Sequence, residues 1–172
     1  MFWKRDRETK RRDGHIAAAH SRIQQGNLPE AEYHFEEALA LTHPTSATTA
    51  RLRFNLLTNV ANIRIARQDL RGATIVLTEA FEILGRDPSF PPDLRLQYHL
   101  NLGQLLKYRS EYRESEAHLT LALDIAESIY GRQDPRLARH LNHLGMLHAD
   151  AATPEKAEPF FRRALTAVET WR

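Results

Sequence analysis

Phe35-Glu36-Glu37-Ala38-Leu39 recurs as Leu77-Thr78-Glu79-Ala80-Phe81, again as Leu119-Thr120-Leu121-Ala122-Leu123, and again as Phe161-Arg162-Arg163-Ala164-Leu165. Each copy starts 42 residues after the one before. The small residues keep the same pitch: Ala31, Ala73, Ser115 and Ala157 form one column, and Ala19, Ala61, Gly103 and Gly145 another. A fixed period kept over the whole chain is the mark of a repeat array. One unit is too small to bury its own apolar face and must stack on a neighbour. Four units fit the 172 residues.

Each unit reads as two helices. In unit two, Phe54, Leu57, Val60, Ala61 and the alkyl stem of Arg64 share one stripe at helical spacing, and Ala73, Leu77, Ala80, Phe81 and Leu84 share the next. Unit three repeats this with Leu102, Gly103 and Leu106, then Leu119, Ala122, Leu123 and Ala126. The punctuation agrees. Asn27 precedes Pro29 and Glu30 in a capping-box pattern, and Asp134-Pro135 and Thr153-Pro154 place a cap residue before a proline. Gly85 and Gly131 stand where a left-handed C-terminal residue is needed. The helices expected run over 5–25, 29–42, 47–67, 71–84, 93–109, 113–130, 135–151 and 155–171. The small columns face each other within each pair, because a close helix crossing, at about 8 Å between axes, leaves no room for larger side chains. The expected fold is all-α, a right-handed superhelical solenoid of four helix pairs. It forms a single domain over 1–172, with units near 5–44, 45–86, 87–131 and 132–172.

Composition narrows the function. The chain has no cysteine, which excludes disulfides, thiol catalysis and cysteine-bound zinc, and fits a cytoplasmic location. No apolar run approaches the roughly 18 residues of a membrane span. The basic balance is local: residues 1–13 carry six basic and three acidic groups, so against a whole-chain charge of +2 the remainder is near neutral. This basic extension of the first helix, with Phe2 and Trp3, reads as a solvated helix start or, alternatively, as a tip that touches an anionic membrane or an acidic partner, and the near-neutral body argues against a nucleic-acid surface.

Leu141-Asn142-His143-Leu144-Gly145, followed by Pro154-Glu155-Lys156-Ala157-Glu158-Pro159-Phe160-Phe161-Arg162-Arg163-Ala164-Leu165, resembles a tetratricopeptide repeat. The 42-residue pitch departs from the usual 34 and is similar to the longer repeats of the kinesin light chain type, including the connector Gly131-Arg132-Gln133-Asp134-Pro135. The resemblance covers residues 12–171. It implies a non-catalytic scaffold or adaptor that binds a peptide or partner protein in a concave groove, with no cofactor. It also gives the second Asn of an Asn-Asn-Leu-Ala-like motif the role of contacting bound peptide. That role falls on Asn59, in Thr58-Asn59-Val60-Ala61, and on Asn101, in Leu100-Asn101-Leu102-Gly103; unit four has His143 there.

Helical phase supports the same face. With Leu57 at zero, Asn55, Asn59 and Asn62 fall at roughly 140–200°, opposite the core stripe. Equivalent positions hold Asp13, Ala17 and His20 in unit one, Gln97, Asn101 and Gln104 in unit three, and Arg139, His143 and Met146 in unit four, with Asn142 beside them. Carboxamides both donate and accept, which suits the alternating groups of an extended backbone. At about 3.3 Å per strand residue and about 8–10 Å per helix spacing, units two to four span on the order of 8–15 extended residues. A helical ligand is equally allowed.

Two other readings come from the residues. His140 and His143 are three apart on one helix and could reach one ion, a metal-dependent enzyme reading, although no carboxylate stands at matching spacing. His148 is expected to point to the core, and His34 and His118 to lie on the outer surface. The last helix carries Phe160, Leu165, Ala167 and Trp171 with no ninth helix to cover them. An apolar patch of this kind marks an interaction surface, and the expectation is a homodimer through that end or a self-assembling structural subunit.

Overall fold

The computed structural model describes residues 2–43, 49–87 and 90–169. Among the described residues eight helices follow one another: α1 (Phe2–Gln24), α2 (Leu28–Ala40), α3 (Ala50–Ala66), α4 (Leu70–Arg86), α5 (Pro92–Tyr108), α6 (Tyr112–Tyr130), α7 (Leu137–Asp150) and α8 (Pro154–Glu169). The described residues contain no strand. The expected all-α architecture of four helix pairs is found, and it divides into two compact units, Met1–Pro88 and Ser89–Arg172.

In the first unit α1 packs on α2, α3 on α4, and α2 on α3. The crossings fall where the small columns predict: Ala19, Ala31, Ala61 and Ala73 are all fully buried. Phe35, Phe54 and Leu57 fill the space beside them. Arginines join successive pairs. Arg64 reaches Glu32 at 2.7 Å and Glu36 at 2.5 Å, and Arg67 shares Glu32. Arg53 donates to the Leu39 and Thr42 carbonyls at the end of α2 while pairing with Glu79 of α4. It thereby satisfies carbonyls that a helix C-terminus leaves without partners.

In the second unit α5 packs on α6, α6 on α7 and α7 on α8, and α5 also meets α7. Leu119, Ala122, Leu141 and Leu144 form its core with Leu100 and Leu137. Ser115 Oγ donates to the Gly103 carbonyl at 2.7 Å, tying the two helices at their closest approach.

The turn inside each pair is also a repeat feature. Gly26, Gln68, Ser110 and Ala152, again 42 residues apart, all have φ between 56° and 72°. Side-chain caps follow in two pairs: Asn27 accepts from the Glu30 amide and Asp69 from the Gly72 amide. Two punctuation expectations are corrected. Gly85 lies inside α4 rather than past its end, because the helix continues to Arg86. Asp134 does not open α7 directly. Its carboxylate accepts from the Arg136 amide in a turn of its own, and the helix starts at Leu137. Gly131 does take a positive φ, 88°, but its ψ of 153° places it in the extended glycine-only region rather than the left-handed helical one.

Candidate partner-binding wall

The first helix of each pair turns its apolar stripe to the second and leaves a polar face. On α3, Asn55 is exposed, and Asn59 and Asn62 are partly so. Asn59 Nδ2 donates to the Asn55 carbonyl at 2.9 Å and to Asn55 Oδ1 at 2.8 Å, which aligns the two amides one turn apart. On α1, Asp13, Ala17 and His20 are exposed, and the His20 ring meets Phe35 edge-on at 5.4 Å.

The second unit carries a more structured version. Gln97 and Gln104 are half-buried on α5. Asn101, expected on a solvated face, is fully buried. Its short side chain lies beneath Gln97, whose Nε2 donates to Asn101 Oδ1 at 2.9 Å. On α7, Arg139, Asn142 and Met146 are exposed and His143 is half-buried. Burial, then Arg139, His140 and Lys107, push His143 down to about 4. Burial and Arg139 push His140 to about 4 as well. Both imidazoles are therefore neutral near pH 7 and offer one donor and one acceptor each. His140 is nearly fully buried, and its Nδ1 has no hydrogen-bond partner. Among the described residues no group of three potential metal ligands converges, so His140 and His143 stand without a third ligand.

The sequence reading missed Lys107 and Asp150. Lys107 is 8% exposed, yet its Nζ reaches Asp150 Oδ2 at 2.8 Å and lies 4.7 Å from the Tyr108 ring centre. This pair bolts the end of α5 to the end of α7. A signal was present: Lys107 stands in the repeat column of Ile23 and Ile65. Tyr98, in the column of Leu56 and His140, is also buried, and burial pushes its phenol up to about 12.

Two further expectations change. His148 is buried as expected, stacked on Phe160 with ring centres 5.5 Å apart. His34 and His118, expected on the outer surface, instead face His15 and His99 across their helix pairs. At the last helix, Ala167 is buried because it follows Ala164 on the stripe facing α7, and Phe160 is half-buried against His148. The bare apolar residues are Phe161, Leu165 and Val168, at 40%, 59% and 44% exposed. Trp171 lies outside the described residues.

Among the described residues no helix is long and apolar enough to cross a membrane. The tetratricopeptide repeat profile matches residues 94–170. No curated protein matches. Among solved structures, the chain is similar to BtubC (BKLC) from P. vanneervenii, with a TM-score of 0.72 at 21% identity over 91% of this chain and 63% of that one. It is similar also to PilF of Pseudomonas aeruginosa, with a TM-score of 0.65 at 19% identity over 93% and 62%. The chain thus spans less than two thirds of either, and at these identities the likeness is one of fold. Tetratricopeptide repeats generally mediate protein–protein interaction and are generally non-catalytic scaffolds. The match to the tetratricopeptide repeat profile thus falls on nearly all of the second compact unit.

Proposed function

We propose that the chain is a non-catalytic scaffold that binds a peptide or partner polypeptide along the polar face of its first helices. The observation that carries this reading is unspent hydrogen-bonding capacity on that face. Asn62 and Asn142 make no side-chain hydrogen bond among the described residues, and Asn55 and Asn59 are held in line by each other. Each amide can engage a backbone group of a ligand, a bond worth about 0.5–1.5 kcal/mol net. The neutral His143 adds the same kind of group, and the Lys107–Asp150 pair holds α5 and α7 in place behind it.

The test is selection from a displayed random-peptide library on the immobilised full chain. Retained peptides are then measured on two variants, Asn55→Ala/Asn59→Ala/Asn62→Ala and Gln104→Ala/Asn142→Ala/His143→Ala. At least one variant is expected to bind tenfold or more weakly, about 1.4 kcal/mol, with helicity unchanged. Selected peptides that bind both variants as tightly as the wild type would refute the reading.

A second reading is self-association through the bare face of α8. It is favoured by an internal comparison: Leu119, Leu123 and Ala126 occupy the same repeat positions on α6 as Phe161, Leu165 and Val168, and in a core shared with α5 and α7 they are only 1%, 6% and 0% exposed.

A further inference from the structure

Two helix pairs, one in each compact unit, are closed by a pair of histidines. His15 Nδ1 lies 3.1 Å from His34 Nδ1 across α1 and α2, and His99 Nδ1 lies 3.1 Å from His118 Nδ1 across α5 and α6. The ring centres are 5.4 and 5.2 Å apart, so in both pairs the rings meet nitrogen to nitrogen. The two pairs occupy the same two repeat columns, two units apart. In the other two units those columns hold Leu57 with Val76 and Leu141 with Phe160. An apolar pair of residues thus alternates with a histidine pair in these two columns.

A neutral imidazole has one N–H and one lone pair. Two Nδ1 atoms in contact must therefore be opposite tautomers, one donating and the other accepting. A first added proton can go to the outer Nε2 of the donor ring and leave this bond intact. A second must go to the accepting Nδ1. Two N–H groups and two positive charges then face each other, and the contact cannot persist. We propose that these two histidine pairs are proton-sensitive latches, which hold the α1–α2 and α5–α6 hairpins closed near neutral pH and release them when each pair takes its second proton.

The surroundings set the two latches differently. At the first, Glu37 Oε2 stands 3.9 Å from His15 Nε2 and is itself held by Arg11. The Tyr33 ring lies against His34. From α3, which packs on α2, Arg64 and Arg67 are engaged by Glu32 and Glu36, and Arg53 by Glu79. At the second, Tyr98 stacks edge-on against His99 and Arg95 opposes added charge. The neighbouring α7 contributes Arg139 and the neutral His140 and His143, while Glu116 of α6 is turned to His148. Burial, then His118 and Arg95, push His99 down to about 4, and burial lowers His118. Between about 4 and the ordinary value of about 6.5, the unfolded chain binds the proton that folded His99 refuses. Stability therefore falls as the pH falls through that window, and this contribution is whole only above it.

The experiment compares urea unfolding of the full chain at pH 7.5 and 4.5, with a chelator present to exclude metal. The variants borrow the apolar pairs of the other units: His15→Leu/His34→Val and His99→Leu/His118→Phe. The wild-type folding equilibrium constant is expected to drop at least tenfold more across this range than that of the His99→Leu/His118→Phe variant. The His15→Leu/His34→Val variant removes the same nitrogen-to-nitrogen contact in the first unit and is likewise expected to show a smaller drop than the wild type. An independent reading comes from nitrogen-edited NMR of the wild-type histidine rings. Each pair should show one Nδ1–H and one Nε2–H tautomer at pH 7.5, and its two rings should titrate together. Equal pH dependence in wild type and variants overturns the proposal. So do four rings that titrate singly near 6.5 in the folded chain, and that result decides the matter even if a variant fails to fold.

Discussion

Replacing Gly103 and Gly145 in turn by alanine separates backbone packing from side-chain packing at equivalent crossings. A Cβ on Gly103 would lie 2.6 and 2.7 Å from the Leu119 Cγ and Cδ2, and 3.3 Å from the Leu119 backbone nitrogen. Leu119 is 1% exposed, so it has nowhere to turn, and α6 itself must retreat from the Ser115–Gly103 hydrogen bond. Overpacking of this kind costs about 1–3 kcal/mol, and removing a helical glycine returns about 1 kcal/mol. Gly103→Ala should therefore lose about 1 kcal/mol net. A Cβ on Gly145 would meet the Phe161 ring at 2.5–2.8 Å, with only side-chain atoms among its three nearest neighbours. Phe161 is 40% exposed and can swing outward, so Gly145→Ala should range from neutral to about 1 kcal/mol more stable. The assay is urea unfolding followed by circular dichroism, with the midpoint compared at constant slope. Equal shifts for the two variants, or a larger loss at Gly145, would sink the argument that the backbones at Gly103 are in forced proximity.

The left-handed turn residues give a simpler test. Ala152→Gly should stabilise the chain by about 1 kcal/mol, since a non-glycine residue at φ 56° pays for the crowding of its Cβ and Gly26 already occupies the equivalent turn; an unchanged or lower melting temperature contradicts this. At the last helix, wild-type protein at high micromolar concentration should sediment as a dimer or larger and Leu165→Asp as a monomer, because that side chain is 59% exposed in the bare apolar face. A monomeric wild type removes the self-association reading.

The repeat pitch made the fold legible because both packing and turning obey it. Small residues stand at every crossing, and a left-handed residue stands at every internal turn, even where the amino acids there are Gln68, Ser110 and Ala152 rather than glycine. The site was less legible, since helical phase gives direction and not depth. Asn59 and Asn101 share a phase, but only Asn101 is folded beneath a glutamine one turn earlier. The ion pair between Lys107 and Asp150 joins two different helices, and each histidine pair spans 19 residues, a separation that no single-helix period flags. Reading down the repeat columns exposes both. His15, Leu57, His99 and Leu141 share one column, and His34, Val76, His118 and Phe160 its partner, so polarity changes in step on both helices. Lys107 breaks a column begun by Ile23 and Ile65. In an array whose core is dictated by its repeat, the departures that come in matched pairs are where the chain departs from mere stacking.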